Sequence, residues 1–237
     1  HNGDRFGWIQ GEDGKWHLGL YVASGRLWDE DGLQLLTGVR EIARIHKGEF
    51  RLTCNQNMII ANVATRDKAR IDKLVAQYGL DGYKQQSGIR RYSIACVALP
   101  TCGLAMAESE RYAPELITKL ESILDTHGLL NEPIQLRISG CPNGCSRPYL
   151  AEIALIGRAP GRYDLRLGAD FTGRRLNIVY RENITEPEIL QTLDTLFAAY
   201  AANRLESEKF GDYLIRSETL PAPTQNLIPI VLEAATQ

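Results

Sequence analysis

Apolar and polar positions change period several times along the chain, and each change marks a candidate element. Residues 16–22 read as a strand, whereas residues 33–45 place Leu36, Val39, Ile42 and Ala43 on one helical face. Strands over 49–53 and 58–63 follow. A helix over 67–78 comes next, with Thr65 placed to cap it and Gly79 to end it. The order strand, helix, strand, strand, helix predicts an α+β layer with its helices on one sheet face.

Residues 79–93 are polar and rich in glycine, as a linker would be, and set a domain boundary near Asp81. Beyond it the pattern predicts a long helix over 104–126, strands over 134–138, 152–156, 164–167 and 176–180, and a helix starting near Thr185. That start is marked by a capping box of Thr185 and Glu188 with Pro187 in the first turn. The expected organisation is a first unit over 1–81, a second over 82–219, and a tail over 220–237 that carries Pro221 and Pro223. There is no short repeat and no low-complexity segment.

The composition, 44% apolar and 24% charged over 237 residues, is that of a globular chain able to bury a core. A formal charge of −2 supplies no basic stripe for phosphates, so nucleic acid is not an expected partner. No apolar run nears the roughly 20 residues of a membrane-spanning helix, and no signal segment opens the chain, so a cytoplasmic, membrane-free protein is expected. The chain begins His1-Asn2-Gly3-Asp4 without methionine, and is therefore expected to be a piece of something longer.

The chemistry lies in the cysteines. Four of the five form two close pairs, Cys96 with Cys102 and Cys141 with Cys145, while Cys54 stands alone in a strand pattern and reads as an inert core thiol. Without a secretion signal, such pairs favour metal or redox chemistry over disulfides. Structural zinc usually draws its cysteines from knuckles spaced by about two to four residues, so the five-residue gap of the first pair suits a larger object such as a cubane iron-sulfur cluster. Zinc and inert thiols remain the alternatives on spacing alone. Pro100 and Pro142 stiffen the loops, and Gly140 and Gly144 allow close backbone approach. Each pair also stands before a predicted helix start, at Gly103 and at Ser146 with Pro148, which would aim N–H groups at the sulfurs.

Beyond the cysteines, Ala95-Cys96, Leu99-Pro100-Thr101-Cys102, Leu104-Ala105-Met106-Ala107-Glu108 and Gly140-Cys141-Pro142-Asn143-Gly144-Cys145 resemble the cluster segments of the siroheme sulfite and nitrite reductase family. Ile45-His46-Lys47-Gly48, Arg51-Leu52-Thr53, Asn55-Gln56-Asn57, Ala159-Pro160-Gly161-Arg162-Tyr163 and Glu182-Asn183-Ile184-Thr185-Glu186-Pro187 are similar to its NADPH-dependent branch. The resemblance covers nearly the whole chain except the tail.

It implies an α+β fold: the second ferredoxin-like half of the sulfite/nitrite reductase fold, followed by an α/β cluster-binding domain. By the same resemblance Cys96, Cys102, Cys141 and Cys145 hold a 4Fe-4S cluster, and Cys145 is also the axial ligand of the siroheme iron. The implied reaction is the six-electron reduction of sulfite to sulfide, in sulfate assimilation and cysteine biosynthesis. The implied partners are an NADPH-dependent flavoprotein subunit and the hemoprotein's N-terminal half, where the basic residues that bind substrate are expected. A nitrite reductase, a ferredoxin-fed sulfite reductase and a zinc-binding structural module are the alternatives.

Siroheme carries carboxylates, for which Arg147 is the first candidate partner, with Asn143 as a polar neighbour. Arg158, Arg162, Arg166, Arg174 and Arg175 read as a solvated basic face, His46 as a packed residue, and Trp8, Trp16 and Trp28 as core or interface aromatics. Gly103 stands where relatives often carry proline, which is expected to loosen the helix start.

Overall fold

The computed structural model describes residues 3–30 and 32–222. His1, Asn2 and most of the expected tail, including Pro223, lie outside the described residues.

β1 (Gly7–Gln10) and β2 (Trp16–Leu20) form a hairpin whose turn places Gly14 at φ +75°. β3 (Asp29–Glu30) and β4 (Leu33–Gln34) make a short second ribbon that leads into α1 (Leu35–Ile45). β5 (Glu49–Leu52), β6 (Met58–Val63) and α2 (Thr65–Gln77) complete the layer. The sheet runs β1-β2-β6-β5, antiparallel throughout.

One face of the sheet carries both helices: Leu18, Leu20, Ile60 and Val63 pack against Leu35, Ile42, Ile71 and Val75. Ile60 and Val63 both point inward although they are three residues apart, because β6 places two residues between them, Ala61 and Asn62 (φ +62°), where β2 has only His17 between their partners Leu18 and Trp16. The expected order of elements stands, with β1 added; its single partly buried hairpin gives a weak alternation. Thr65 is not the cap of α2. The cap is Ala64, and Thr65 opens the helix with its hydroxyl accepting from Trp16 Nε1 at 3.2 Å.

Residues 79–92 are a packed joint rather than a loose linker. Gly79, at φ +70°, ends α2; a 3-10 turn (Gly82–Gln85) and α3 (Gly88–Arg91) follow, the latter capped by Ser87 Oγ. Gly88 donates to Leu130 O, and a methyl group on it would stand 1.9 Å from Glu132 O, so the segment is pinned to the second layer.

That layer is a mixed sheet in the order β11-β10-β9-β8-β7. β7 (Ser93–Ala95), β8 (Leu136–Ser139) and β9 (Ile153–Ala159) run parallel, and β10 (Arg162–Leu167) and β11 (Ile178–Ile184) continue antiparallel. α4 (Ala113–Thr126) connects β7 to β8 as a parallel pair requires. α5 (Glu186–Asn203) and α6 (Phe210–Arg216) close the core, in which Leu116, Leu120, Leu155, Leu165, Leu193, Phe197 and Phe210 are buried.

The capping box forms as expected: Glu188 accepts from both the N–H and the hydroxyl of Thr185 at 2.8 Å. Two further expectations fail. Helix α4 starts at Ala113, not near Leu104, because the backbone donors of 106–110 are spent across the fold: Met106 N and Ala107 N on Gly140 O, and Glu110 N on Cys96 O. Leu220 is not tail but core, 3% exposed, with its N–H on Leu214 O. Among the described residues no helix is long and apolar enough to cross a membrane.

Candidate metal centre

Cys96 is the first residue after β7, and Cys141 lies two residues past β8. The two strands are adjacent and parallel, with Ala95 opposite Ile138, so both cysteine loops leave the same end of the sheet from strands about 4.8 Å apart. Cys96 N–H continues the ladder to Ile138 O at 3.2 Å.

Gly140 lies where the loops meet. Its N–H donates to Cys96 Sγ at 3.3 Å, and its carbonyl accepts from Met106 N at 2.8 Å and Ala107 N at 3.1 Å. A methyl group on Gly140 would stand 2.6 Å from Ala98 Cβ and 2.7 Å from Ala107 O, so only glycine fits. The first loop folds back on itself through Cys102 N to Ala98 O at 2.7 Å, with Ala98 at φ +46°. The second loop turns at Gly144, at φ +71°, and at Arg147, at φ +55°. Beneath it the buried hydroxyls of Ser139 and Ser146 share a 2.6 Å hydrogen bond.

Cys141 is buried, Cys96 and Cys102 are partly buried, and Cys145 is exposed. Cys54 is exposed as well, in the turn after β5, so it is not the core thiol its strand-like flanks implied. The expected helix N-termini behind the cysteines are absent: 103–112 is irregular, and Cys145 is followed only by a 3-10 turn (Pro148–Leu150) whose cap is Arg147, not Ser146. Single N–H groups such as Gly140's take over the role given to a helix dipole.

Zinc and a cubane cluster place different demands on four thiolates. Four thiolates on one zinc ion, at bonds of about 2.3 Å, would lie within about 3.8 Å of one another. Among the described residues no three His, Cys, Asp or Glu side chains converge in such a single-ion set. A cubane binds its thiolates at four separate corners and so holds them farther apart, and an N–H bond to a ligating sulfur is one of the devices that tune such a cluster. What the chain offers to such a group is two cysteine loops leaving one end of adjacent strands, with an N–H already on Cys96 Sγ.

Arg147 turns toward the first sheet: its Nη2 donates to Asn55 Oδ1 at 2.9 Å and to Cys54 O at 2.5 Å. Its own carbonyl accepts from Arg137 Nη1 at 2.9 Å. Arg137 is 2% exposed and its Nε has no hydrogen-bond partner. Burial, with Arg147 nearby, pulls its guanidinium down to about 10. A charged residue between Leu136 and Ile138 of a buried strand was the available signal for it. Asn143 is exposed at the loop tip.

The basic run is paired within the chain, Arg158 with Asp164, Arg174 with Asp170 and Arg175 with Asp212. His46 Nε2 lies 2.9 Å from Ala61 O, so it is a packed residue. Trp8 and Trp16 join the first core, and Trp28 is half exposed.

The family model of the nitrite/sulfite reductase ferredoxin-like half domain matches residues 9–78. Those residues resemble that half domain. The half domain is therefore the four-stranded layer of β1, β2, β5 and β6 with α1 and α2.

Over 224 residues the chain is 59% identical to the sulfite reductase (NADPH) hemoprotein beta-component of Xylella fastidiosa (strain M12), covering 94% of the chain and 39% of that protein. The protein of the same name from Geobacillus thermodenitrificans (strain NG80-2) is 57% identical over 217 residues, or 92% of the chain and 38% of its own length. The chain thus spans about two fifths of the length of these relatives.

Among solved structures, the Mycobacterium tuberculosis NirA protein superposes with a TM-score of 0.73 at 24% identity, over 91% of this chain and 41% of that one. Dissimilatory sulfite reductase I superposes with a TM-score of 0.57 at 11% identity, over 85% and 66%. These two likenesses concern the fold, which is α+β with the half-domain layer in place.

Proposed function

We propose that the chain is the C-terminal, cluster-bearing half of the hemoprotein component of an assimilatory, NADPH-dependent sulfite reductase. The observation that carries this reading is the departure of both cysteine loops from the same end of adjacent parallel strands, with Gly140 N–H on Cys96 Sγ, in a chain so similar to hemoprotein beta-components.

In this reading Cys96, Cys102, Cys141 and Cys145 ligate a 4Fe-4S cluster. Cys145, the exposed member, would be the residue shared with a bound siroheme, because its sulfur keeps lone pairs to spare. When bound, the coupled pair supplies single electrons in succession to one sulfur atom, six in converting sulfite to sulfide. The chain's own residues hold the geometry. Gly140 N–H holds the Cys96 sulfur in place, and the turns at Gly144 and Arg147 present Cys145 outward. Arg147 keeps Nε and Nη1 for a carboxylate of the macrocycle, and Asn143 stands exposed in the same loop.

Val97, Leu104 and Met106 leave exposed apolar surface around the first pair, 70% exposed at Leu104. Such a patch suits cover by the remainder of the hemoprotein, which also brings the basic residues for sulfite. The electron donor is an NADPH-oxidising flavoprotein subunit, and the site of action is the cytoplasm.

The test is sulfite reduction by the full-length polypeptide with reduced methyl viologen as donor. The reading predicts sulfide with six electrons consumed per sulfite, and loss of that activity in Cys145→Ser. An active Cys145→Ser protein would overturn the assignment of the bridging ligand, and a full-length protein that reduces no sulfite would overturn the function.

A further inference from the structure

We propose that the turn between β5 and β6, residues 53–57, is the element of the half domain that positions both cysteine loops, with Gln56 as the positioning residue for Cys96. This rests on the reading that the four cysteines hold a cluster.

β7 is the outer strand of its sheet, paired only with β8. In a parallel ladder the N–H and C=O of one residue point to the same side and those of the next to the other. Cys96 N–H points inward, to Ile138 O, so both backbone groups of Ala95 face the open edge. The carboxamide of Gln56 takes both: Ala95 N–H donates to Oε1 at 3.2 Å, and Nε2 donates to Ala95 O at 2.8 Å. One side chain thus acts as a surrogate strand at the residue before the first ligand.

The turn that offers Gln56 is itself held in an unusual shape. Gln56 has φ +65°, a left-handed conformation that costs a non-glycine residue energy and persists where its surroundings over-determine it. The surroundings are present: Gln56 N–H on Thr53 O, and Asp4 accepting from Thr53 Oγ1 at 2.6 Å, Asn55 Nδ2 at 3.1 Å and Asn57 Nδ2 at 2.7 Å. Asn57 Oδ1 in turn accepts from Val22 N at 2.9 Å, tying the turn to the end of β2.

The same five residues grip the other cysteine pair. Arg147, two residues past Cys145, donates to Cys54 O and Asn55 Oδ1. The second loop has no regular strand or helix of its own between Cys141 and Arg147, so this contact, together with Arg137 Nη1 on Arg147 O and the Ser139–Ser146 hydroxyl pair, ties its far end down. The half domain contributes no cluster ligand, yet one turn of it fixes the root of the first pair and the end of the second. Displacing Gln56 shifts Cys96 relative to Cys145 and so alters the cluster's ligand geometry.

The experiment compares Gln56→Glu, which places an acceptor opposite Ala95 O, with Gln56→Gly, which removes the bridge while suiting the left-handed backbone. Two readouts are taken on the 237-residue chain: amide hydrogen exchange at Ala95 before loading, and the electron paramagnetic resonance spectrum and midpoint potential after anaerobic loading with iron and sulfide. The expected result is exchange at Ala95 about tenfold faster in Gln56→Gly, which removes the acceptor of its N–H, with the amides of β10 unchanged; Gln56→Glu keeps an acceptor for that N–H, loses only the bond to Ala95 O, and is read through the loaded cluster. The loaded variants are expected to show shifted g-values and a shifted potential with an unchanged far-ultraviolet circular dichroism spectrum. Exchange at Ala95 in Gln56→Gly within twofold of the parent, or resonance spectra of both variants superimposable on it, overturns the proposal. A parent chain that takes up no iron and sulfide refutes the cluster reading itself, and is seen before any variant is compared.

Discussion

Replacing Gly140 by alanine drives a methyl group into a space already occupied from both sides. The added carbon would stand 2.6 Å from Ala98 Cβ, 2.7 Å from Ala107 O and 3.2 Å from Ala105 Cβ. Ala107 cannot withdraw freely, because its N–H and that of Met106 both donate to Gly140 O, and Gly157 crowds the other side with its own missing methyl 2.4 Å from the same oxygen. Overpacking of this kind costs about 1–3 kcal/mol, and the shift needed to relieve it takes Gly140 N–H away from Cys96 Sγ, about 1 kcal/mol more. A total near ~3 kcal/mol lowers the melting temperature of a chain this size by about 6–12 °C. Thermal unfolding of the metal-free chain by circular dichroism measures it. Gly103→Ala is the matched control, because nothing lies within 4 Å of its added methyl and no helix starts there, so a change under about 0.5 kcal/mol is expected. Equal melting temperatures for the two variants would refute the account of how the loops meet.

Glu152 gives a pH signature. It is fully buried, accepts from Gln135 N and Gly211 N, and burial raises its carboxyl to about 7 from 4.5. Between those values the unfolded chain loses the proton while the folded one keeps it. Stability therefore falls as pH rises from about 4.5 to 7, by at most on the order of 3 kcal/mol, and is level above. Urea midpoints across that range should fall more steeply in the parent than in Glu152→Gln, and parallel curves would contradict it. Thr185→Ala removes the hydroxyl from the box that starts α5 and should cost about 1 kcal/mol in urea unfolding; no loss would mean the cap carries nothing. Cys54→Ser should leave iron and sulfide content unchanged after anaerobic loading, since Cys54 belongs to neither pair; a fall in content would make it a ligand.

The half-domain layer was legible because its code is local. The period of 58–63 gives the bounds of β6, and Thr185, Pro187 and Glu188 mark α5 within one residue. The stretch from Leu104 to Glu108 misled for the same reason. Its residues are good helix formers, yet their backbone donors are claimed by Gly140, a partner that arrives only after β8 is placed alongside β7. Pro114 in the first turn of α4 was the local signal that the helix starts later.

The two cysteine pairs were readable from spacing, but what joins them was not. Gln56 and Ala95 are 39 positions apart, and Asn55 and Arg147 are 92 apart, so neither contact leaves a trace in the sequence pattern. Cys54 was misread because the strand-like run before it ends at Leu52, and the next residues turn outward.

Metal content decides the central claim most directly. The chain, purified anaerobically and loaded with iron and sulfide, should hold four iron and four labile sulfide per chain, as one cubane requires, with a broad visible absorption that Cys96→Ser diminishes. Stoichiometric zinc in a native preparation, with colourless protein and no labile sulfide, would contradict it.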